Sequence, residues 1–235
     1  MARARSPGYD NQREHILARA AELFAERGYS AASMNQVALA CGLSKPTLYH
    51  YFRDKDALLV EIAEGHVLRL HSLVTEVVAE QLPAETRLRE LIRRFVSEYA
   101  NAQHAHRVLT EDVKFLPQAD QQRILDTERA VVAGFAQAVG ELRPDLERAA
   151  LAKSLTMLLF GMINWMFTWL KADGVLGYDQ MAPMVADLFF GGLPAVQSPS
   201  APHDGKAPTS GAPTPFTASA PTNRTDRTNP STRFP

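Results

Sequence analysis

Apolar residues recur along this chain at spacings of three and four, and no stretch shows a convincing alternation of two. Such spacing marks one face of an α-helix, which turns once every ~3.6 residues. Ile16, Ala20, Leu23 and Phe24 form the first stripe, in a helix predicted from Asp10 as N-cap to Arg27, ending at Gly28. Two short helices follow, the second and third. Asp54 is predicted to cap a fourth over 55–81, which Pro83 stops. A fifth spans 84–104, with Leu88, Leu91, Ile92, Phe95, Val96 and Tyr99 on one face. A sixth covers 107–116 before Pro117, a seventh 119–142 before Pro144, an eighth 145–171, and a ninth 178–190 ahead of Gly191-Gly192-Leu193-Pro194. Nine helices and no strand pattern predict an all-α protein.

The eighth helix reads as apolar on every side from Leu155 to Leu170. A helix of that kind is buried all round or lies in a membrane. Sixteen residues rise about 24 Å, short of the roughly 30 Å hydrocarbon core, and Asn164 with two threonines interrupts the run. Burial is therefore predicted, by the domain itself on one side and a partner subunit on the other. Met181, Val185, Leu188 and Phe189 on the ninth helix extend that surface. Two helices from each subunit then make a four-helix homodimer interface.

The stretch from Gly28 to Lys55 carries most of the chemistry. Ser33 is placed to cap a helix starting at Met34, with Gln36 bonding back to complete a capping box. Gly42 supplies the positive φ that ends this helix and turns the chain. Leu43 plugs the turn, Ser44 caps the next helix, and Pro46 sits in its first turn, where a missing N–H costs nothing. Leu48 and Tyr51 face inward. Lys45, Pro46, Thr47, Tyr49 and His50 stay outside, at or near the helix start. This is the layout of a helix-turn-helix reader entering the major groove. Lys45 is suited to guanine O6/N7, and the Pro46 ring or Thr47 methyl to a thymine methyl. Ser33, Ser44, Thr47, Tyr49, His50 and Lys55 are candidates for phosphate contacts. One short helix reads few base pairs, so two copies are expected on successive grooves of a palindromic double-stranded operator.

At these residues the chain resembles the TetR family of one-component bacterial repressors. The likeness begins at Arg13, Ile16, Leu17, Ala20, Ala21, Leu23, Phe24, Ala25, Glu26, Gly28 and Tyr29. It continues through Val37, Ala38, Cys41, Gly42, Leu43, Ser44, Lys45, Thr47, Leu48, Tyr49, Tyr51, Phe52, Lys55 and Leu58. Val37 stands where Ile is usual and Cys41 where Ala is usual. The resemblance implies three helices in a DNA-binding domain and six in a ligand-binding and dimerisation domain. It adds Asn35 as a base contact, and it implies that the fourth helix moves the readers apart when a small effector binds.

The segment from Phe160 to Gly174, with Met184, Asp187, Leu188, Phe189, Gly192 and Leu193, is also similar to TetR regulators of fatty-acid, steroid and aromatic-acid breakdown. Many of those answer to acyl-CoA thioesters, and the nearest likeness is to repressors of phenylacetate degradation, which respond to phenylacetyl-CoA. The expected effector is thus an acyl-CoA, held by Phe95, Tyr99, Phe135, Met157, Phe160, Asn164, Phe167 and Thr168. Arg93, Arg94, Arg107, Lys114 and Arg123 are the cations available for the CoA. A hydrophobic drug-like ligand and control of an efflux or stress gene is the alternative, and a helical scaffold that binds no DNA is a more distant one.

Composition sharpens this division. The net charge of −1 hides a split: residues 1–55 carry +3, residues 56–193 carry −6, and residues 194–235 carry +2. Only the first segment suits a polyanion. The expected units are a DNA-binding domain over 1–54, a ligand-binding and dimerisation domain over 55–193, and a disordered Pro/Ser/Thr/Ala-rich tail over 194–235. Arg3 and Arg5 are candidates for a minor-groove arm. Cys41 is the only cysteine, which excludes an intrachain disulfide. No signal peptide is visible, so a cytoplasmic protein is expected. His-x-His at His104 and His106 points two rings about 200° apart on a helix, so no metal site is expected there, nor at His66 and His71. No nucleophile–base pair, phosphate loop or carboxylate pair stands out, so no enzyme and no cofactor are expected.

Overall fold

The computed structural model describes residues 7–148, 150–170 and 176–197. Ten α-helices lie among these residues, with no strand. They are α1 (Pro7–Arg27), α2 (Met34–Ala40), α3 (Lys45–Tyr51), α4 (Lys55–Ala79), α5 (Ala84–Asn101), α6 (Gln103–Asp112), α7 (Gln118–Leu142), α8 (Pro144–Arg148), α9 (Ala152–Asn164) and α10 (Tyr178–Gly192). Short 3₁₀ turns follow α6 (Val113–Phe115), α9 (Met166–Thr168) and α10 (Leu193–Ala195).

The all-α expectation holds, with differences at several ends. The first helix begins at Pro7, which leaves Asp10 inside its first turn rather than at the cap. The fourth ends at Ala79, because Gln81 takes a φ of +53° before Pro83. The fifth and sixth divide at Ala102, and the sixth gives way to 3₁₀ geometry after Asp112.

The largest difference is the expected single helix over 145–171. It is two helices and a turn. Ala150 adopts φ +58°, the Leu151 N–H donates to the Leu146 carbonyl at 2.9 Å, and the Ala150 N–H donates to Glu147 at 2.9 Å. This is a Schellman closure of α8, normally marked by glycine. After α9 the chain tightens, with the Leu170 N–H reaching the Met166 carbonyl at 2.8 Å.

One core runs from Ile16 in α1 to Leu193. α4 and α7 lie side by side and in the same direction: Arg123 reaches Glu64 at one end, and Gly134 packs on Val74 further along. A Cβ on Gly134 would overlap the Val74 side chain, so this glycine is what lets the two helices approach. α5 runs antiparallel to α7, since Arg87 pairs with Glu141 and Phe95 meets Phe135. The first residues of the expected tail are held in place: Val196 packs on the core, and Arg143 donates to the carbonyls of Leu193 and Val196. Residues 198–235 lie outside the described residues, as do Arg3 and Arg5.

Candidate functional site

The reader forms from local rules. The Gln36 N–H donates to Ser33 Oγ at 3.4 Å, and the Ser33 N–H donates to Gln36 Oε1 at 2.9 Å, completing the capping box of α2. Gly42 takes φ +65°, in the left-handed region the turn requires. The Thr47 N–H donates to Ser44 Oγ at 3.2 Å, which caps α3, and Pro46 occupies its first turn. Leu48 is fully buried, while Tyr51 is half-buried and stacks on Tyr9 of α1 at 4.7 Å. This anchorage leaves exposed Ser33 and Asn35 at the start of α2, Ser44, Lys45, Pro46 and Thr47 at the start of α3, and Tyr49 and His50 in the last turn of α3. Lys45 Nζ sits 5.9 Å from the centre of the Tyr49 ring, and the Ser44 and Thr47 hydroxyls pair at 2.7 Å.

Lys55 is placed differently. Its ammonium donates to the carbonyls of Tyr29 and Ala32 at 2.8 and 2.9 Å and lies over the Tyr29 ring. Two of its three donors thus fasten the α1–α2 connection to the start of α4. Tyr29 gathers further bonds at this joint. Its hydroxyl donates to Asp56 of α4, its backbone favours the charged Asp112 carboxylate at the end of α6, and its ring stacks on Phe115 at 5.6 Å. Burial pushes the Asp112 carboxyl up to about 6. The reader is therefore joined at one residue to both α4 and α6.

The second constellation lies between α4, α5, α6, α7 and α9. Phe95, Tyr99, Phe135 and Phe160 are buried there, with the Phe95 and Phe135 rings edge to face at 4.8 Å. The Tyr99 hydroxyl donates to Asn164 Oδ1 at 2.8 Å, and its ring stacks on His106 at 3.8 Å. Phe167 meets His106 edge-on at 5.7 Å. Six of the eight expected ligand-binding residues are thus brought together. Met157 and Thr168 are not among them. Met157 is 50% exposed on the outer side of α9, and Thr168 is exposed in the 3₁₀ turn, its hydroxyl donating to the Trp165 carbonyl. The turn after Asn164 is what carries Thr168 away from the interior face.

Sequence reasoning missed His66 and His106. Both are buried, and they meet across α4 and α6. The Asn164 carbonyl can only accept, so His106 Nε2 carries the proton that reaches it at 3.3 Å. His106 Nδ1 is then the acceptor for the His66 Nε2–H, also at 3.3 Å. Burial lowers His66 to about 4 and His106 to about 3, so both rings are neutral at pH 7. The signal was present: His66 sits on the apolar stripe of α4 with Leu59, Ile62, Ala63, Val67 and Leu70. Glu128 on α7 is the other residue missed. Burial pushes its carboxyl up to about 7.

The cations considered for a CoA are dispersed in surface pairs. Arg93 and Arg94 pair with Glu90, Arg107 with Glu111, and Arg123 with Asp120, while Lys114 lies over Phe115. An apolar face remains on α9, α10 and the adjoining turns. Leu158 is 67% and Leu188 65% exposed, accompanied by Met157, Trp165, Trp169 and Met184. No helix among the described residues is long and apolar enough to cross a membrane.

Residues 16–62 match the bacterial regulatory proteins of the tetR family, and residues 81–193 match the tetracyclin repressor-like C-terminal domain. A TetR-family transcriptional regulator from Bordetella parapertussis 12822 superposes with a TM-score of 0.75 at 36% identity, covering 81% of this chain and all of that one. The transcriptional activator FasR of Mycolicibacterium smegmatis (strain ATCC 700084 / mc(2)155) is 28% identical over 186 residues, 78% of this chain and 84% of its own. The structure of AibR in complex with isovaleryl coenzyme A and operator DNA shares the fold, with a TM-score of 0.65 at 23% identity over 75% of this chain and 97% of that one. An exposed, capped helix-turn-helix, an all-α body and these matches lead to one conclusion: the chain is a transcriptional regulator of the TetR family.

Proposed function

We propose that this regulator is a homodimeric repressor that sits on a palindromic operator and leaves it when an acyl-CoA, phenylacetyl-CoA in the best reading, fills the interior between α4, α5, α6, α7 and α9. The observation that carries the effector reading is the box of Phe95, Phe135 and Phe160 closing on the Tyr99–Asn164–His106 chain. Aromatic walls with a few convergent polar groups suit an apolar acyl chain bearing one carbonyl. The neighbour AibR, whose structure is a complex with isovaleryl coenzyme A and operator DNA, supports the same class. In this reading residues 1–54 contact DNA, residues 55–193 bind effector and partner, and the partner covers the apolar face of α9 and α10.

Ser33, Asn35, Ser44, Lys45, Pro46, Thr47, Tyr49 and His50 then meet the operator, and Lys55 holds them in place. α4 and α6 both reach from the interior to Tyr29, so either can pass the effector's arrival to the reader. The test is a gel shift with DNA from upstream of the protein's own coding region. Phenylacetyl-CoA should release the complex at micromolar concentrations, and free phenylacetate should not. Indifference to phenylacetyl-CoA and to a panel of fatty acyl-CoAs ends the acyl-CoA reading.

A further inference from the structure

α7 buries Ile124, Val131, Phe135 and Ala138 along one stripe. Glu128 falls on that same stripe, four residues after Ile124 and three before Val131, so the helix turns a carboxyl toward the core. The helix registers locate it. α4 pairs with α7 through Glu64–Arg123 and Val74–Gly134, which sets Glu128 beside the turn of α4 that follows His66. α5 pairs with α7 through Arg87–Glu141 and Phe95–Phe135, which sets Glu128 beside the turn that carries Tyr99. Consistent with that position, its charge adds to burial in raising the Tyr99 phenol.

Glu128 has no hydrogen-bond or ion-pair partner among the described residues. Arg129, next in the chain, is committed to Asp126 on the outer side of α7. The polar groups that line the interior from the other helices are His66 on α4, Tyr99 on α5, His106 on α6 and Asn164 on α9, and all are neutral. The charges nearest to Glu128 are Arg129, which draws its carboxyl down against burial, and, by helix register, the Arg69–Glu98 pair of α4 and α5. Leaving a carboxylate so placed has a cost, because burial disfavours the charge.

We propose that Glu128 makes the effector interior a filter for neutral acyl groups: it admits an acyl chain whose carbonyl is a thioester or amide and repels the same chain as a free carboxylate. The inference rests on the reading of this interior as the effector site. A second carboxylate brought close to Glu128 in a low-dielectric interior meets repulsion that the neutral His66, Tyr99, His106 and Asn164 do not offset. A thioester or amide carbonyl carries no charge and finds a donor nearby in the Asn164 amide N–H, whose oxygen is held by the Tyr99 hydroxyl. Activated and free forms of one acid are thereby told apart through the acyl end alone, without any contact to a nucleotide.

The test uses the full chain and matched small probes that lack CoA: phenylacetamide against phenylacetate, and octanamide against octanoate. Binding is measured by calorimetry at pH 8, where Glu128 is ionised. The wild type should bind each amide at least tenfold more tightly than its acid. In Glu128→Gln the acid should gain until the two lie within about threefold, with the amide unchanged. Glu128→Met, which continues the apolar stripe, should lose the discrimination as well. The filter is overturned if no amide binds the wild type, if acid and amide bind it equally, or if the ratio survives both substitutions. It is also overturned if 2-phenylethylammonium binds the wild type more tightly than phenylacetamide, since Glu128 would then be a cation receptor. Phenylacetyl-CoA in the operator-release assay separates the two ideas: amides that bind while this thioester leaves the DNA complex intact leave the filter standing and remove the acyl-CoA effector.

Discussion

Lys45 presents its ammonium to solvent at the start of α3, whereas Lys55 spends two donors on the carbonyls of Tyr29 and Ala32. Both belong to the same motif, and spacing alone assigns both to the operator, Lys45 to a guanine edge and Lys55 to a phosphate. Hydrogen bonds from a charged donor contribute more than neutral ones, about 1.5–3 kcal/mol in typical proteins. Lys55→Met is therefore expected to lower the unfolding free energy, seen as a shift in denaturant midpoint. Lys45→Ala should leave that midpoint unchanged and weaken operator binding by about 1–3 kcal/mol, as loss of a positioning or base contact does. A Lys45→Ala protein with full affinity by fluorescence anisotropy would remove this helix from the DNA interface. The same contrast holds for the histidines: His50 faces outward beside Tyr51, while His66 and His106 close a neutral chain inside. Single-residue chemistry cannot distinguish them; the face of the helix each occupies can.

Element by element, capping and apolar periodicity were readable wherever their signal is local. Ser33, Ser44 and Asp54 cap α2, α3 and α4 as their positions before apolar runs imply. The break between α8 and α9 was not readable, because Ala150 fills the left-handed position that a glycine would have announced. The same break, with the turn at Met166–Thr168, explains Met157 and Thr168. A continuous helix apolar on every side offers no way to tell its inner face from its outer one. Interior partners such as His66 with His106 depend on which helices cross, and that is set by packing. Gly134 is the clearest case of packing between elements, since α4 and α7 meet there with no room for a side chain. Gly134→Ala is expected to cost about 1–3 kcal/mol by overpacking. Because α4 also carries Asp54, Lys55 and Asp56 at its reader end, the substitution should weaken operator affinity in the absence of effector. Val74→Ala in the same chain should restore both properties. If the single variant matches wild type in melting temperature and in anisotropy, the α4–α7 contact does not govern the reader.

At the scale of the whole molecule, charge and apolar surface are divided between different regions. Residues 1–55 are net basic and residues 56–193 net acidic, so the field of the protein orients it reader-first toward a polyanion. The apolar residues left exposed on α9 and α10 are the surface that the second copy covers in the proposed dimer. Leu158→Glu with Leu188→Glu should turn a dimer into a monomer in sedimentation at micromolar concentration. Operator affinity should fall by far more than a single base contact accounts for, since two half-sites are no longer engaged together. Wild type that sediments as a monomer would contradict the proposed interface directly.

Tyr29 shows what the one continuous core means for the history of such a chain. Its hydroxyl, carbonyl and ring meet Asp56, Lys55 and Phe115, all beyond residue 54, in addition to Ala32 and Phe24 within it. The first 54 residues are thus a division of labour rather than a detachable module. A recombination that gave them a new regulatory half would leave Tyr29 only its partners Phe24 and Ala32 unless the incoming half brought its own acid and aromatic ring to the same corner. New specificities for DNA and for effector are then more readily acquired by substitution within each half than by exchange of halves, and residues 112–115 travel as part of the reader they never belong to in sequence.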